Sequence, residues 1–448
     1  MKLNGCRVAS MAMVFAACAP AQTDRESALL ARIEALEKRL GEVEARLAAQ
    51  PAPVPAAVAP AALVPAAAAP ASTAAPPPVA GLDVNLTLDG YYGYNFNRPV
   101  GRVNLLRAYD VLSNSFSLNQ ATLMLERPPD LAAGRRFGVR LDLQYGQATE
   151  AQGGNPSNEP RPQAWRNVFQ AYGTYVVPVG KGLAVDFGKW ASSLGLEGNY
   201  TKDQMNYSRS MLFNFLPFYH FGVRTAYSFN DRFGVGYWLV NGIGQSEDFN
   251  GAKSQNVTAT VKPAKSLTWT SNYYTGNENP DIVPNYVPGP AALPTQPNLS
   301  TETILPAPRG RTHILDSIFT WNANSALTFA GEFDYAVRRF PAGGGSPHLT
   351  GGAAYARYQF GPRFALAARG EYINDNGALF SGTPQVLKEA TFTADYAPVT
   401  GFLIRTEWRR DFSNRPFFLS DVPGVLKKGQ STATVGVIWW FGPHQGAW

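Results

Sequence analysis

A period-two alternation of apolar and polar side chains recurs along most of this chain, and few folds can accommodate it. In residues 136–146, Phe137, Val139, Leu141, Leu143 and Tyr145 share one parity, and Arg140, Asp142 and Gln144 take the other. In 327–337, Leu327, Phe329, Phe333, Tyr335 and Val337 oppose Thr328, Glu332 and Asp334. In 219–229, Phe221, Val223, Tyr227 and Phe229 oppose His220, Arg224 and Ser228. A β-strand sends successive side chains to opposite faces, so each segment has one greasy and one wet face. In water the greasy face must be covered by a second sheet. In a bilayer it can meet lipid directly, provided the sheet closes on itself and its polar face lines a wet interior.

Sixteen such segments are predicted between 82 and 441, beginning with 82–95 and ending with 400–411 and 429–441. Odd-numbered connections are long, for example 96–114, 192–218 and 277–310, while even-numbered ones are mostly tight, such as Asn230-Asp231, Asn322-Ala323-Asn324 and Gly361-Pro362. An even strand count with long loops on one rim and short turns on the other predicts an all-β, transmembrane antiparallel barrel. Aromatic residues support it over a soluble sandwich: Tyr91, Tyr92, Tyr94, Trp190, Tyr237, Trp238, Tyr273, Tyr274, Trp439, Trp440 and Phe441 gather near strand ends, as interfacial girdles would. Sixteen strands imply an aqueous bore rather than a side-chain-filled core.

Composition agrees. Charged residues form only 16% of the 448 positions and aromatics 12%. A helical span needs about 20 unbroken apolar residues, and the longest charge-free stretch, 48–80, is cut repeatedly by proline. The formal charge of +6 is dispersed along strands, so no nucleic-acid surface is expected.

The N-terminal region has three parts. Residues 1–21 read as a signal peptide, with Lys2 and Arg7, an apolar run from Val8 to Cys18, and a small-x-small site before Gln22. Both cysteines, Cys6 and Cys18, lie within it. The alternative makes Cys18 a lipidated N-terminus, although Phe15 stands where Leu would be expected. Residues 22–50 are read as a periplasmic coiled-coil helix, since Leu29, Ile33, Leu36, Leu40, Val43 and Leu47 alternate at spacings of four and three. So short a zipper needs tethered partners, and a homotrimer joined through residues 24–48 would supply them. A lone amphipathic helix is the other reading. Residues 51–81 are a Pro/Ala-rich linker, and 82–448 the barrel.

Three motifs carry a resemblance. Phe187-Gly188-Lys189-Trp190-Ala191-Ser192-Ser193-Leu194-Gly195-Leu196-Glu197, Asn206-Tyr207-Ser208-Arg209-Ser210 and Phe218-Tyr219-His220-Phe221-Gly222-Val223-Arg224 resemble those of the OmpL-like outer-membrane β-barrel porins. The resemblance covers the chain from about Leu82 onward and implies passive diffusion of small hydrophilic solutes across the outer membrane of a Gram-negative-type bacterium. It carries no catalytic residue and no cofactor. The zipper and stalk are additions to the barrel, and the chain runs past Phe441 to Trp448, either of which can serve as the final aromatic.

Fold analogy then selects residues. In sixteen-stranded porins the third long loop commonly turns inward, so Glu197, Lys202, Asp203 and Arg209 in 192–218 are expected to border a constriction; the other reading leaves them on a solvated rim. Lys189 shares the parity of Phe187, and a bulge is expected to turn it inward. Parity lines the pore with Arg136, Arg140, Arg224, Arg338, Arg357, Arg369, Arg405 and Arg409 against Asp142, Asp186, Glu332, Asp334, Glu371, Glu389, Asp395 and Glu407. Such a balance predicts a mixed-charge lumen without strong ion selectivity. These charges either create a transverse field or pair along the wall.

Other functions find less support. His220 beside Ser208 or Ser210 suggests a hydrolase only if a nucleophile elbow or an acid accompanies it, and neither is evident. Without mature cysteines or a His pair at ligand spacing, no metal site is expected. A structural alternative remains, in which zipper and stalk reach the cell wall and the barrel only anchors them in outer-membrane lipid.

Overall fold

The computed structural model describes residues 81–153, 159, 161–279, 310–340 and 345–444, together with Lys38, which is helical and exposed. The expected signal peptide, coiled coil and linker lie outside the described residues apart from Lys38 and Gly81, as does most of the connection 277–310.

Sixteen antiparallel strands form one closed barrel. In chain order they are β1 Asp83–Asn95, β2 Ser115–Arg127, β3 Phe137–Tyr145, β4 Val168–Val177, β5 Leu183–Ala191, β6 Tyr219–Asn230, β7 Phe233–Val240 and β8 Ser254–Ala264. The second half comprises β9 Leu267–Asn277, β10 Arg311–Asn322, β11 Leu327–Arg339, β12 His348–Gln359, β13 Phe364–Asp375, β14 Gln385–Val399 and β15 Phe402–Ser413. A small hairpin, β16 Phe418–Leu419 with β17 Leu426–Lys427, interrupts the last long connection before β18 Gly429–Phe441. Pairing of β1 with β18, from Leu86 opposite Phe441 to Asn95 opposite Thr432, closes the cylinder.

The alternation explains the closure. Phe137, Val139, Phe333, Tyr335, Phe392 and Trp408 are exposed on the outer face, while Asp142, Asp334, Arg369, Arg405 and Arg409 are buried on the inner one. Tight turns follow local chemistry: the Asn230 side-chain oxygen accepts hydrogen bonds from the Arg232 and Phe233 amides, and Asn324 does the same for Ala326 and Leu327.

Three expectations need correction. The aromatic doublets do not all belong to girdles. Period two splits them, so Tyr237, Tyr273 and Trp439 stay exposed while Tyr91, Trp190, Trp238 and Tyr274 are buried inside. Lys189 is not turned by a bulge, because β5 pairs with β4 and β6 without a register shift. It keeps the parity of Phe187 and is buried over the Tyr219 ring, 3.9 Å from its centre, with its ammonium donating to the Trp165 carbonyl. Finally, the bore is not simply water-filled. Loop residues Met205, Met211 and Leu212 pack on Leu349, Ile373, Leu387 and Phe418, forming an apolar core within the cylinder.

Candidate functional site

The bore is crossed by the third long loop, 192–218, between β5 and β6. A backbone placed there loses water and must find other hydrogen-bond partners. The loop makes few regular bonds of its own: a 3-10 turn at Thr201–Asp203 and a short helix, α3, at Met211–Phe215, capped by Ser210 Oγ accepting from the Phe213 amide. The elements numbered before it are α1 Gln147–Gln152 and α2 Pro162–Trp165, both in the second long loop. The wall supplies most of the remaining partners.

On one side these partners are fully charged. Glu407 accepts from the Tyr207 and Ser208 amides at 2.6 and 3.0 Å. Glu371 accepts from Met211 and Leu212 at 2.8 and 2.7 Å, closing the first turn of α3. Arg405 donates to the Thr201 and Asn206 carbonyls at 2.9 and 3.1 Å, and Arg369 and Arg409 donate to the Ser208 and Arg209 carbonyls at 2.8 and 2.5 Å. Charge-assisted bonds of this kind are stronger than neutral ones. The arginines are themselves neutralised by Asp395, Glu389 and Asp411 at 2.7 to 3.0 Å.

Across β18, on β1–β3, the wall supplies the Asp89 and Asp142 carboxylates and the Gln120 amide. Tyr207 donates to Asp89 at 2.8 Å and Tyr200 donates to Asp142. Gln120 donates to the Asn199 carbonyl and accepts from the Thr201 amide. Register shifts in the ladders fall at Asp89/Gly90 on β1 and Asp142/Leu143 on β3, the carboxylates that receive the two tyrosines. Bulges re-aim side chains, and here both lie where the loop is received.

The residues chosen by fold analogy occupy different places. Glu197 pairs with Arg369 at 2.7 Å and accepts from the Ser210 amide, tying loop to wall. Lys202 donates to Asp203 at 2.7 Å, and the two line separate cavities. Arg209 binds the loop to itself through the Gly198, Tyr207 and Asn199 carbonyls, under the Tyr109 ring. Among the inward charges, Arg140 pairs with Asp142 and Glu126, and Arg224 with Asp186. Arg357 lies 3.8 Å from Asp395. Glu332 and Asp334 lie beside Asp316, a residue sequence reasoning did not select.

Water-sized space remains beside the loop. A cavity of about 510 Å³ runs between Arg140, Tyr172 and Arg224 on the wall and Glu197, Tyr200 and Asp203 on the loop. Two more, of about 520 and 500 Å³, open near the short-turn rim, one against β6–β8 and sharing Arg224, the other against Arg357, Asp395 and Arg405. At the other rim the first long loop also packs inward. Arg107 reaches Asp110 and Asp411, and Tyr109 donates to Asn199. Burial pushes the Tyr109 hydroxyl well above its ordinary range, so it stays a neutral donor.

Ser208 and Ser210 do not stand beside His220. The nearest serine is Ser192, whose Oγ is 3.1 Å from Nε2, and the orienting position at Nδ1 is held by the Gly242 carbonyl rather than a carboxylate.

The sequence profile of the family described as "Putative beta-barrel porin-2, OmpL-like" matches residues 81–441. No curated protein matches the chain. Among solved structures, the anion-selective porin from Comamonas acidovorans superposes with a TM-score of 0.51 at 9% identity, over 80% of this chain and 99% of that one. The high-pH structure of Pseudomonas putida OprB gives 0.48 at 13% identity, over 81% and 94%. The trimer form of in-vitro folded OmpT from Vibrio cholerae gives 0.49 at 8%, over 80% and 99%. At these identities the likeness is one of fold.

Proposed function

The chain belongs to this family of outer-membrane β-barrel porins, and from that premise we propose that it passes small hydrophilic solutes by passive diffusion through a lumen of mixed charge. The observation that carries the reading is the loop 192–218, strapped across a closed cylinder by wall charges, with the charged cavity from Arg140 to Asp203 left open beside it. The path narrows where Arg140, Arg224, Glu197 and Asp203 face one another. Opposed charges there orient water and polar solutes without excluding either ion sign.

In this reading the short-turn rim is periplasmic. β1 begins and β18 ends at that rim, where His444 reaches Glu126, so the zipper of 24–48 and its linker would extend into the periplasm, join three chains and contact the cell wall. Planar-bilayer recording of the refolded full chain tests the pore. Small, discrete conductance steps with a reversal potential near zero in a salt gradient are the expected result, and a silent membrane would favour the anchor. Deleting residues 22–80 tests the zipper, and unchanged oligomer size on a native gel would refute it.

A further inference from the structure

We propose that Asp316, Glu332 and Asp334, on the inner wall of β10 and β11, form a binding site for a hard divalent cation of the Ca²⁺ class. The proposal goes beyond the pore reading and does not depend on conduction.

Asp316 and Asp334 are direct cross-strand partners, and Glu332 lies two residues away on the same face. Like charges in this arrangement repel. All three are buried, and one carboxylate oxygen from each lies within 4.8 Å of the others. Two oxygens on opposite sides of a Ca²⁺ ion stand roughly 5 Å apart, so the spacing suits such an ion.

The independent observation is unsatisfied acceptor capacity. Asp334 is fully buried, yet neither of its oxygens has a hydrogen-bond partner. Asp316 Oδ1 and Glu332 Oε1 are also without one. Glu389, Asp395 and Asp411 each have an arginine nitrogen at 2.7 to 3.0 Å, but among the described residues no Lys, Arg or His nitrogen comes within 4.0 Å of these three acids. The flanking positions are neutral: Asn272 opposite Asp316 and Gly351 opposite Asp334. Three carboxylates without a cationic partner in a dry place are costly, whereas one oxygen from each converging within 4.8 Å, with water completing the shell, suits a hard cation.

The remaining oxygens show what the ion would hold. Asp316 Oδ2 accepts from the Gly195 amide at 3.2 Å, and Glu332 Oε2 from the Leu196 amide at 3.0 Å. Gly195 sits at φ +90°, and a Cβ there would press on Leu216 and come within 3.2 Å of Glu332 Oε1. The cation would therefore fix the root of the loop that crosses the bore. Sequence reasoning missed this because it looked for Cys and His ligands.

The test uses the full chain refolded in detergent, stripped with EDTA and titrated with CaCl₂ by calorimetry and with TbCl₃ by luminescence. One site per chain is expected. Asp334→Asn and Glu332→Gln should each weaken it at least about tenfold, since affinity follows ligand charge. Asp203→Asn, away from the cluster, should leave it unchanged. EDTA should lower the melting temperature of the native chain but not that of Asp334→Asn, with gel heat-modifiability confirming that each variant folds. Absence of binding by the folded native chain up to about 10 mM, well above extracellular Ca²⁺ sites, would overturn the proposal, leaving shared protons to neutralise the acids. Undiminished binding by both folded variants would overturn it as well.

Discussion

Two stretches of the barrel wall treat the interior in opposite ways. The three strands β13–β15 present Arg369, Glu371, Glu389, Asp395, Arg405, Glu407, Arg409 and Asp411 inward, nearly all of them buried against loop backbone or one another. The three strands β7–β9 present Asn256, Thr258, Thr260, Thr270 and Asn272, with Lys262 alone carrying charge, and much of this face borders the 520 Å³ cavity. On β13–β15 full charges hold loop backbone. On β7–β9 Thr258, Thr260 and Lys262 border the cavity, while Asn256 and Asn272 are buried and Asn272 donates to the Ser193 carbonyl at 3.2 Å. Along these two stretches charge density marks where the loop is bound, and the two should respond differently to substitution.

The largest effect is expected at Arg405. Alanine there leaves Asp395 only Arg357 at 3.8 Å and frees two loop carbonyls, which should cost about 3–5 kcal/mol and release the loop. Thermal unfolding should show the loss and single-channel conductance should rise; an unchanged conductance would break the link between wall charge and loop seating. A smaller effect is expected for Glu407→Gln, which keeps an acceptor for only one of the Tyr207 and Ser208 amides and turns its NH2 toward the other, at about 1–3 kcal/mol with a modest conductance increase. Gly436→Ala should fall close behind. A Cβ at that position would stand 2.2 Å from the Tyr207 ring and push it from Asp89, costing about 1–3 kcal/mol, visible as a lower melting temperature. On the watery stretch, Thr260→Val removes only a 3.1 Å hydroxyl contact to Thr270 and should stay within about 0.5 kcal/mol, with conductance unchanged. A loss there as large as at Glu407 would erase the contrast.

The sequence made some of this legible. Alternation located the strands, because facing lipid or lumen is decided residue by residue; 325–337 is expected and Leu327–Arg339 is found. The 165–177 segment starts late, at Val168, because Pro162 opens a helical turn just before it. Pairings within the bore were not legible. Glu371 and Met211 are 160 residues apart, and nothing local tells a wall carboxylate which amide it will accept from. The loop's inward course came from analogy, although Met205, Met211, Leu212, Phe213 and Phe215 in a connecting segment are themselves a burial signal. The first long loop carries a weaker one in Arg107-Ala108-Tyr109, and its packing was not anticipated.

A tube without a free margin is only as secure as its seam. The strap through its middle touches Asp89 near the beginning of the sheet and Arg405 and Glu407 near the end, so it is bonded on both sides of the seam where β1 meets β18. The crossing segment therefore acts as a brace spanning the join between the first and last strands, and whatever loosens its bonds also unloads that join.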